Sequence, residues 1–133
     1  MNDCVFCKMI KGEIPSYKVY EDKTVVAFLD INPVHEGHVL VLPKKHVVNL
    51  EDVSEKLLNK TIKIVKKFGQ SIKDNLAPGY NIIVNNDPVA GQEIQHLHFH
   101  VIPRYDKDRL TTWTRNQYGE GRVELIQKQL KIN

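Results

Sequence analysis

The 133-residue chain has only two cysteines, Cys4 and Cys7, so a disulfide framework of the kind that staples small secreted domains is excluded. No apolar run approaches the roughly 18 residues needed to cross a bilayer, and no charged start leads into an apolar stretch of signal-peptide type. A soluble cytoplasmic protein with no membrane partner is the expectation. Internal repeats and low-complexity tracts are missing, which excludes solenoid and linker-like organisation. So is any Gly-x-x-x-x-Gly-Lys-Ser/Thr segment, and with it the P-loop and its Mg²⁺ site. Charge of one sign is also scarce: 19 basic against 16 acidic residues leave +3, too little to argue for a nucleic-acid partner, although it does not oppose an anionic ligand. What remains, 41% hydrophobic and 26% charged residues, is an ordinary balance for one globular domain with a modest core.

Against that plain background the segment from Gly91 to Arg104 stands out. His96, His98 and His100 alternate with Leu97, Phe99 and Val101. In an extended strand successive side chains point to opposite faces, so the three imidazoles share one face while the apolar face is free to pack on a helix. Spaced at roughly 6–7 Å, the rings can line one extended anionic ligand. Two other readings fit the residues: a half-buried strand with a polar outer side, and a His-x-His site holding catalytic zinc.

Cys4 and Cys7 form a Cys-x-x-Cys pair. Such a pair is a redox dithiol, half of a tetrahedral zinc site, or two unmetallated thiols, and the lack of a surrounding βαβ pattern weighs against redox. Zinc needs two more ligands, for which His35, His38, His46 and the alternating histidines are candidates.

Along the rest of the chain, Val5 to Lys11 reads as a short helix. Lys18–Glu21 and Val25–Leu29 read as a hairpin turning at Asp22-Lys23. Val39–Leu42 is apolar on both faces and reads as a central strand. Asp52 and Glu55 have capping-box spacing ahead of a long helix, with Val53, Leu57, Leu58, Ile62, Val65, Phe68 and Ile72 turned inward. Lys60, Lys63, Lys66, Lys67 and Lys73 form its solvated face. After the Ala77-Pro78-Gly79 stop come a strand over Tyr80–Asn85 and a loop ending in Gly91. Near the C-terminus a helix is expected over Val123–Ile132, with Val123, Ile126 and Leu130 on one side, and the single Trp113 reads as core rather than as a contact to a neighbouring subunit.

The run His96-Leu97-His98-Phe99-His100-Val101-Ile102, preceded by Gly91-Gln92, resembles the histidine triad (HIT) family of nucleotide hydrolases and transferases, whose signature alternates histidine with apolar residues in this way. The resemblance covers residues 4–104 closely, and 105–133 form a divergent extension of what is read as one HIT domain over 1–133. It implies an α+β fold: a five-stranded, mainly antiparallel sheet with one major helix and a C-terminal helix, assembled as a homodimer. It implies structural zinc on Cys4, Cys7, His46 and His96. A purine nucleotide would be held by Asp30 at the ribose, Phe6 and Ile31 at the base, and Asn85, Gly91 and Gln92 toward the phosphate. Glu93 stands where one branch of the family has serine. His98 would be the nucleophile, His100 would meet the phosphate oxygens, and His38 would stand beside the triad. The implied activity is hydrolysis of a nucleoside phosphoramidate or related nucleotide at the α-phosphate through a nucleotidyl-histidine. The alternatives are a dinucleoside polyphosphate hydrolase, and a nucleotide-binding regulator with little turnover.

Overall fold

In a computed structural model, described over residues 3–110 and 113–132, five strands form one sheet. They are β1 (Lys18–Glu21), β2 (Val25–Leu29), β3 (Val39–Pro43), β4 (Gly79–Val84) and β5 (Phe99–Arg104). Their order is β1-β2-β3-β5-β4, and every neighbouring pair is antiparallel. The expected α+β fold is therefore present. Strand β3, apolar at every position, is buried throughout and lies in the middle, as a strand covered on both faces must.

Two helices cover the two faces. The long helix α2 (Glu55–Asn75) packs on one side over Val25, Ala27, Val39, Val41, Leu97, Phe99 and Val101. On the other side the short helix α1 (Val5–Ile10) inserts Phe6 among Val26, Phe28, Leu40 and Leu42. The period-two alternation thus divides each central strand cleanly between two cores. Among the described residues no helix is long and apolar enough to cross a membrane.

Several sequence expectations are corrected in detail. Helix α2 is capped by Ser54, whose Oγ accepts the Leu57 N–H at 3.2 Å; Asp52 instead accepts the Val48 N–H at 2.8 Å, so there is no Asp52–Glu55 capping box. The buried stripe of α2 is Thr61, Ile64, Val65, Gly69 and Ile72, with Ile62 turned to solvent. Thr61 fits because its hydroxyl donates to the Leu57 carbonyl at 2.8 Å. At Gly69 an added Cβ would lie 2.4 Å from the Tyr80 ring, so a glycine lets α2 and β4 close up. The last helix, α3 (Arg122–Leu130), buries none of its residues, and Trp113 is 82% exposed rather than core.

The strand carrying the histidines also begins later than its pattern suggests. β5 starts at Phe99, while His96 to His98 approach it through a bend. Leu97 and Phe99 still enter the α2 core and the histidines the opposite side, but the bend separates His96 from the other two.

Candidate active site and metal centre

Below α1 lies a cavity of about 520 Å³, walled by Phe6, Met9, Ile14, Leu29, Ile31 and Leu40 on its apolar side. Its polar side is made by Asp30, Asn85, Gly91, Glu93, His98 and His100. An apolar pocket with a few converging polar groups is the usual form of a small-molecule site. A larger groove of about 930 Å³ on the α2 side is lined by Lys60, Lys63, Lys66 and Lys67 and by no histidine or cysteine.

Hydrogen bonds fix the state of each ring. The Nδ1 of His98 lies 2.7 Å from the His96 carbonyl, which can only accept, so Nδ1 carries the proton and Nε2 keeps its lone pair. Burial lowers the His98 pKa, holding the ring neutral. Phe6 packs edge-on against it, ring centroids 4.9 Å apart. At His38 the Val34 N–H donates to Nδ1 at 3.1 Å, so its Nε2 carries the proton and donates to His100 Nδ1 at 2.9 Å. The proton of His100 is thereby left on Nε2. Burial, with His98 and His38 close by, pushes the His100 pKa down to about 4. The His98 and His100 rings are 5.0 Å apart. A neutral nucleophile and a neutral donor therefore stand side by side.

His96 does something else. It is fully buried, with Nε2–H donating to the Pro43 carbonyl at 2.8 Å and Nδ1 facing the cysteines, 3.5 Å from Cys4 Sγ and 3.6 Å from Cys7 Sγ. His46 Nδ1 lies 3.4 Å from Cys7 Sγ. One donor atom from each of Cys4, Cys7, His46 and His96 falls within 4.8 Å of the others. Two thiols and two imidazoles are the donor set that tetrahedral zinc prefers, and the Pro43 carbonyl gives His96 the outer partner that metal-bound imidazoles have. The residues fit the metal. Four protein ligands would leave no open position on such an ion.

The structure thus brings Phe6, Asp30, Ile31, Asn85, Gly91, Glu93, His98 and His100 to one cavity. Asp30 lines the pocket, with one carboxylate oxygen accepting the Asn32 N–H at 2.9 Å. Gln92 is not brought there. It is 2% exposed, its Oε1 accepting from Asp87 N–H and its Nε2 donating to Val48 and Ile94 carbonyls, which makes it a brace beneath the loop. His38 is 4% exposed and stands behind the cavity wall, its Nε2 2.9 Å from His100 Nδ1 and 3.7 Å from Asp30 Oδ2. His96 turns to the cysteines, so among the described residues the three alternating histidines do not converge on one point. Asp30, His38 and His100 also cluster, yet the His38 nitrogen between them carries a proton and cannot ligate. Sequence reading missed Met9, Ile14 and Leu29 in the wall; the neighbouring Gly12 and Pro15 mark a turn, but nothing local says that it folds over the pocket.

Comparison with known proteins agrees with this geometry. Residues 11–107 match the family model described as HIT domain. The chain is 38% identical over 129 residues to an adenosine 5'-monophosphoramidase of Saccharomyces cerevisiae, covering 96% of this chain and 80% of that one. The crystal structure of a HIT family member from Bacillus subtilis superposes with TM-score 0.88 at 39% identity, over 96% of this chain and 94% of that one. A zinc-bound histidine triad family protein from Mycobacterium smegmatis gives TM-score 0.79 at 32% identity, covering 87% and 85%. The alternating histidines, the sheet that carries them and a family match over most of the length coincide, and the chain belongs to the HIT domain family.

Proposed function

We propose that the protein hydrolyses a purine nucleotide at its α-phosphate, with a nucleoside phosphoramidate as the favoured substrate. The observation that carries this reading is the tautomer of His98: its proton is held by the His96 carbonyl, and the bare Nε2 belongs to a ring in the pocket wall. Nε2 attacks the α-phosphorus, a bond from nitrogen to phosphorus forms, and the bond to the leaving amine breaks. Water then displaces the histidine, so one difficult displacement becomes two easier ones. The Nε2–H of His100 donates to a non-bridging oxygen, where a fixed donor in a dry site is worth several kcal/mol. Asp30 accepts from the ribose hydroxyls, and Phe6 and Ile31 flank the base. The monophosphoramidase among the relatives supports the leaving-group assignment.

The metal centre holds zinc in this reading, supported by its donor set and the zinc-bound relative. The reduced thiols it requires suit the cytoplasm. The working unit is a homodimer: Trp113, Val123 and Leu130 are exposed and α3 is uncovered within its own chain, which a second copy remedies. Sedimentation velocity should return twice the 15.4 kDa chain mass.

The deciding experiment mixes wild type and His98→Ala with an adenosine phosphoramidate, reading intact mass in the first turnovers and turnover thereafter. A nucleotidyl adduct on wild type alone is expected. His98→Ala should lose roughly 10⁴-fold or more in kcat, as removal of a nucleophile does, while still binding AMP. No turnover by wild type, with AMP bound, would replace the enzyme by a nucleotide-binding regulator. Faster cleavage of a dinucleoside polyphosphate would move the substrate to that class.

A further inference from the structure

We infer that Asp108, one residue past the stretch matched by the family model, is a positioning residue: clamped by Arg104, it grips His35 and so seats the turn that presents His38 to His100. Its link to catalysis rests on the function proposed above; its link to ring orientation does not.

Asp108 is nearly enclosed, its side chain 6% exposed, and both its oxygens are saturated. Oδ1 accepts from Arg104 Nη2 at 2.9 Å and from the Leu110 N–H at 3.1 Å. Oδ2 accepts from Arg104 Nε at 2.6 Å, the Tyr105 N–H at 3.2 Å and His35 Nε2 at 3.3 Å. Arg104 is itself anchored by Asn81 of β4 at 2.6 Å, and the His35 ring stands edge-on to Tyr105 at 5.3 Å. On either side of Asp108 the backbone is strained: Lys107 and Arg109 have φ of 60° and 62°, left-handed values that side chains disfavour. Such strain persists only where surrounding contacts over-determine it, and it clusters at functional sites. An exposed ion pair would contribute little, whereas an enclosed, fully bonded one fixes geometry.

What it fixes is the loop before β3. The His35 carbonyl accepts the His38 N–H at 3.1 Å, closing a tight turn whose third residue, Gly37, has φ +91°, as a type II turn requires. From the residue just ahead of the turn the Val34 N–H sets the His38 tautomer, and His38 sets that of His100. The connection from Asp108 to the phosphate-facing donor is therefore continuous: carboxylate, His35, turn, His38, His100. A slack turn would let His38 rotate, and His100 would lose the partner that keeps its proton on Nε2.

The test is long-range proton–nitrogen correlation NMR of the imidazoles, paired with kcat and KM for an adenosine phosphoramidate, on Asp108→Ala, His35→Phe, His35→Gln and Asn81→Ala. His35→Phe keeps the packing on Tyr105 and removes only the donor. In wild type His38 should show one tautomer, protonated at Nε2. In Asp108→Ala and His35→Phe it should become mixed, with kcat down about tenfold and KM within about twofold, the split expected of lost orientation. His35→Gln, which retains an N–H donor, should recover most of both readouts. Asn81→Ala, which frees Arg104 from β4 but leaves both its bonds to Asp108, should shift the two readouts in the same direction and by less than His35→Phe. A single His38 tautomer and full kcat in folded His35→Phe would overturn the proposal, even if Asp108→Ala fails to fold. Mixed tautomers in the variants with no wild-type turnover would uphold the positioning role and remove the assigned activity instead.

Discussion

At the scale of single residues, the site works by keeping imidazoles neutral. Burial lowers the pKa of His98 and takes that of His100 from 6.5 to about 4, so both rings stay unprotonated where a free histidine would already be charged. Profiles of kcat/KM report the free enzyme. For an adenosine phosphoramidate, kcat/KM should accordingly stay level as pH falls through 6.5 and turn down only below it; an acid limb centred at 6.5 would show that the nucleophile is solvated. The same shift has a stability consequence. Between pH 6.5 and about 4 the unfolded chain binds a proton at His100 that the folded chain refuses, so stability rises with pH across that window and is lost as pH falls through it. Urea titrations at pH 7 and pH 5 should show the lower midpoint at pH 5, and His100→Asn should reduce the difference. Period-two spacing made His98 and His100 legible as chemistry. It could not show that His96 belongs to a different centre, because that depends on a bend before Phe99 and on the cysteines folding up to meet it. Nor could it show Gln92 turning inward, since Val48 and Asp87, its partners, are set by loops.

At the scale of elements, apolar residues at helical spacing located α2 and most of its inward face, Leu58, Val65, Phe68 and Ile72 among it, but put Ile62 inside and passed over Ile64. Ile62 and Ile64 are two positions apart, yet one is 41% and the other 6% exposed. The reason is Thr61, a polar residue that the pattern skips but that is fully buried because its hydroxyl bonds back to Leu57. Ile64→Ala should cost about 2–5 kcal/mol in denaturant unfolding and Ile62→Ala about 0.5 kcal/mol or less. Equal losses would return Ile62 to the core. The cap moved for a similar reason: Asp52 is occupied by the Val48 N–H, and Ser54 takes over the helix end. The strands were easier to read than the helix ends, because β2 and β3 are apolar at nearly every position and admit only a central placement. Helix α3 was foreseen from three apolar residues in register, but register says nothing about what covers them, and among the described residues only Ile126 is half-buried while Val123 and Leu130 stay exposed.

At the scale of the whole molecule, the proposed metal centre and the proposed nucleotide pocket share structure. The metal cluster joins the N-terminal segment, the residues after β3 and the approach to β5, segments far apart in sequence. Helix α1 has one buried residue, Phe6, and that ring touches both centres: 5.9 Å from His96 and 4.9 Å from His98. His96 also bridges them, with its ring facing the thiols and its carbonyl accepting from His98 Nδ1. Because metal ligands seldom hold their arrangement without the ion, binding free energy at such a site is folding free energy for the parts it joins. A strong chelator should therefore act locally before it acts globally. Amide exchange over Val5–Ile10 should accelerate by an order of magnitude or more while α2, none of whose residues belongs to the cluster, keeps most of its protection. KM for an adenosine phosphoramidate should rise several-fold through loss of the Phe6 wall, with a smaller fall in kcat, since the His96 carbonyl stays in the chain. Zinc added back should reverse both. If kcat instead vanished at once with α1 still protected, the metal would have to take part in the chemistry, and a closed four-ligand centre could not account for it.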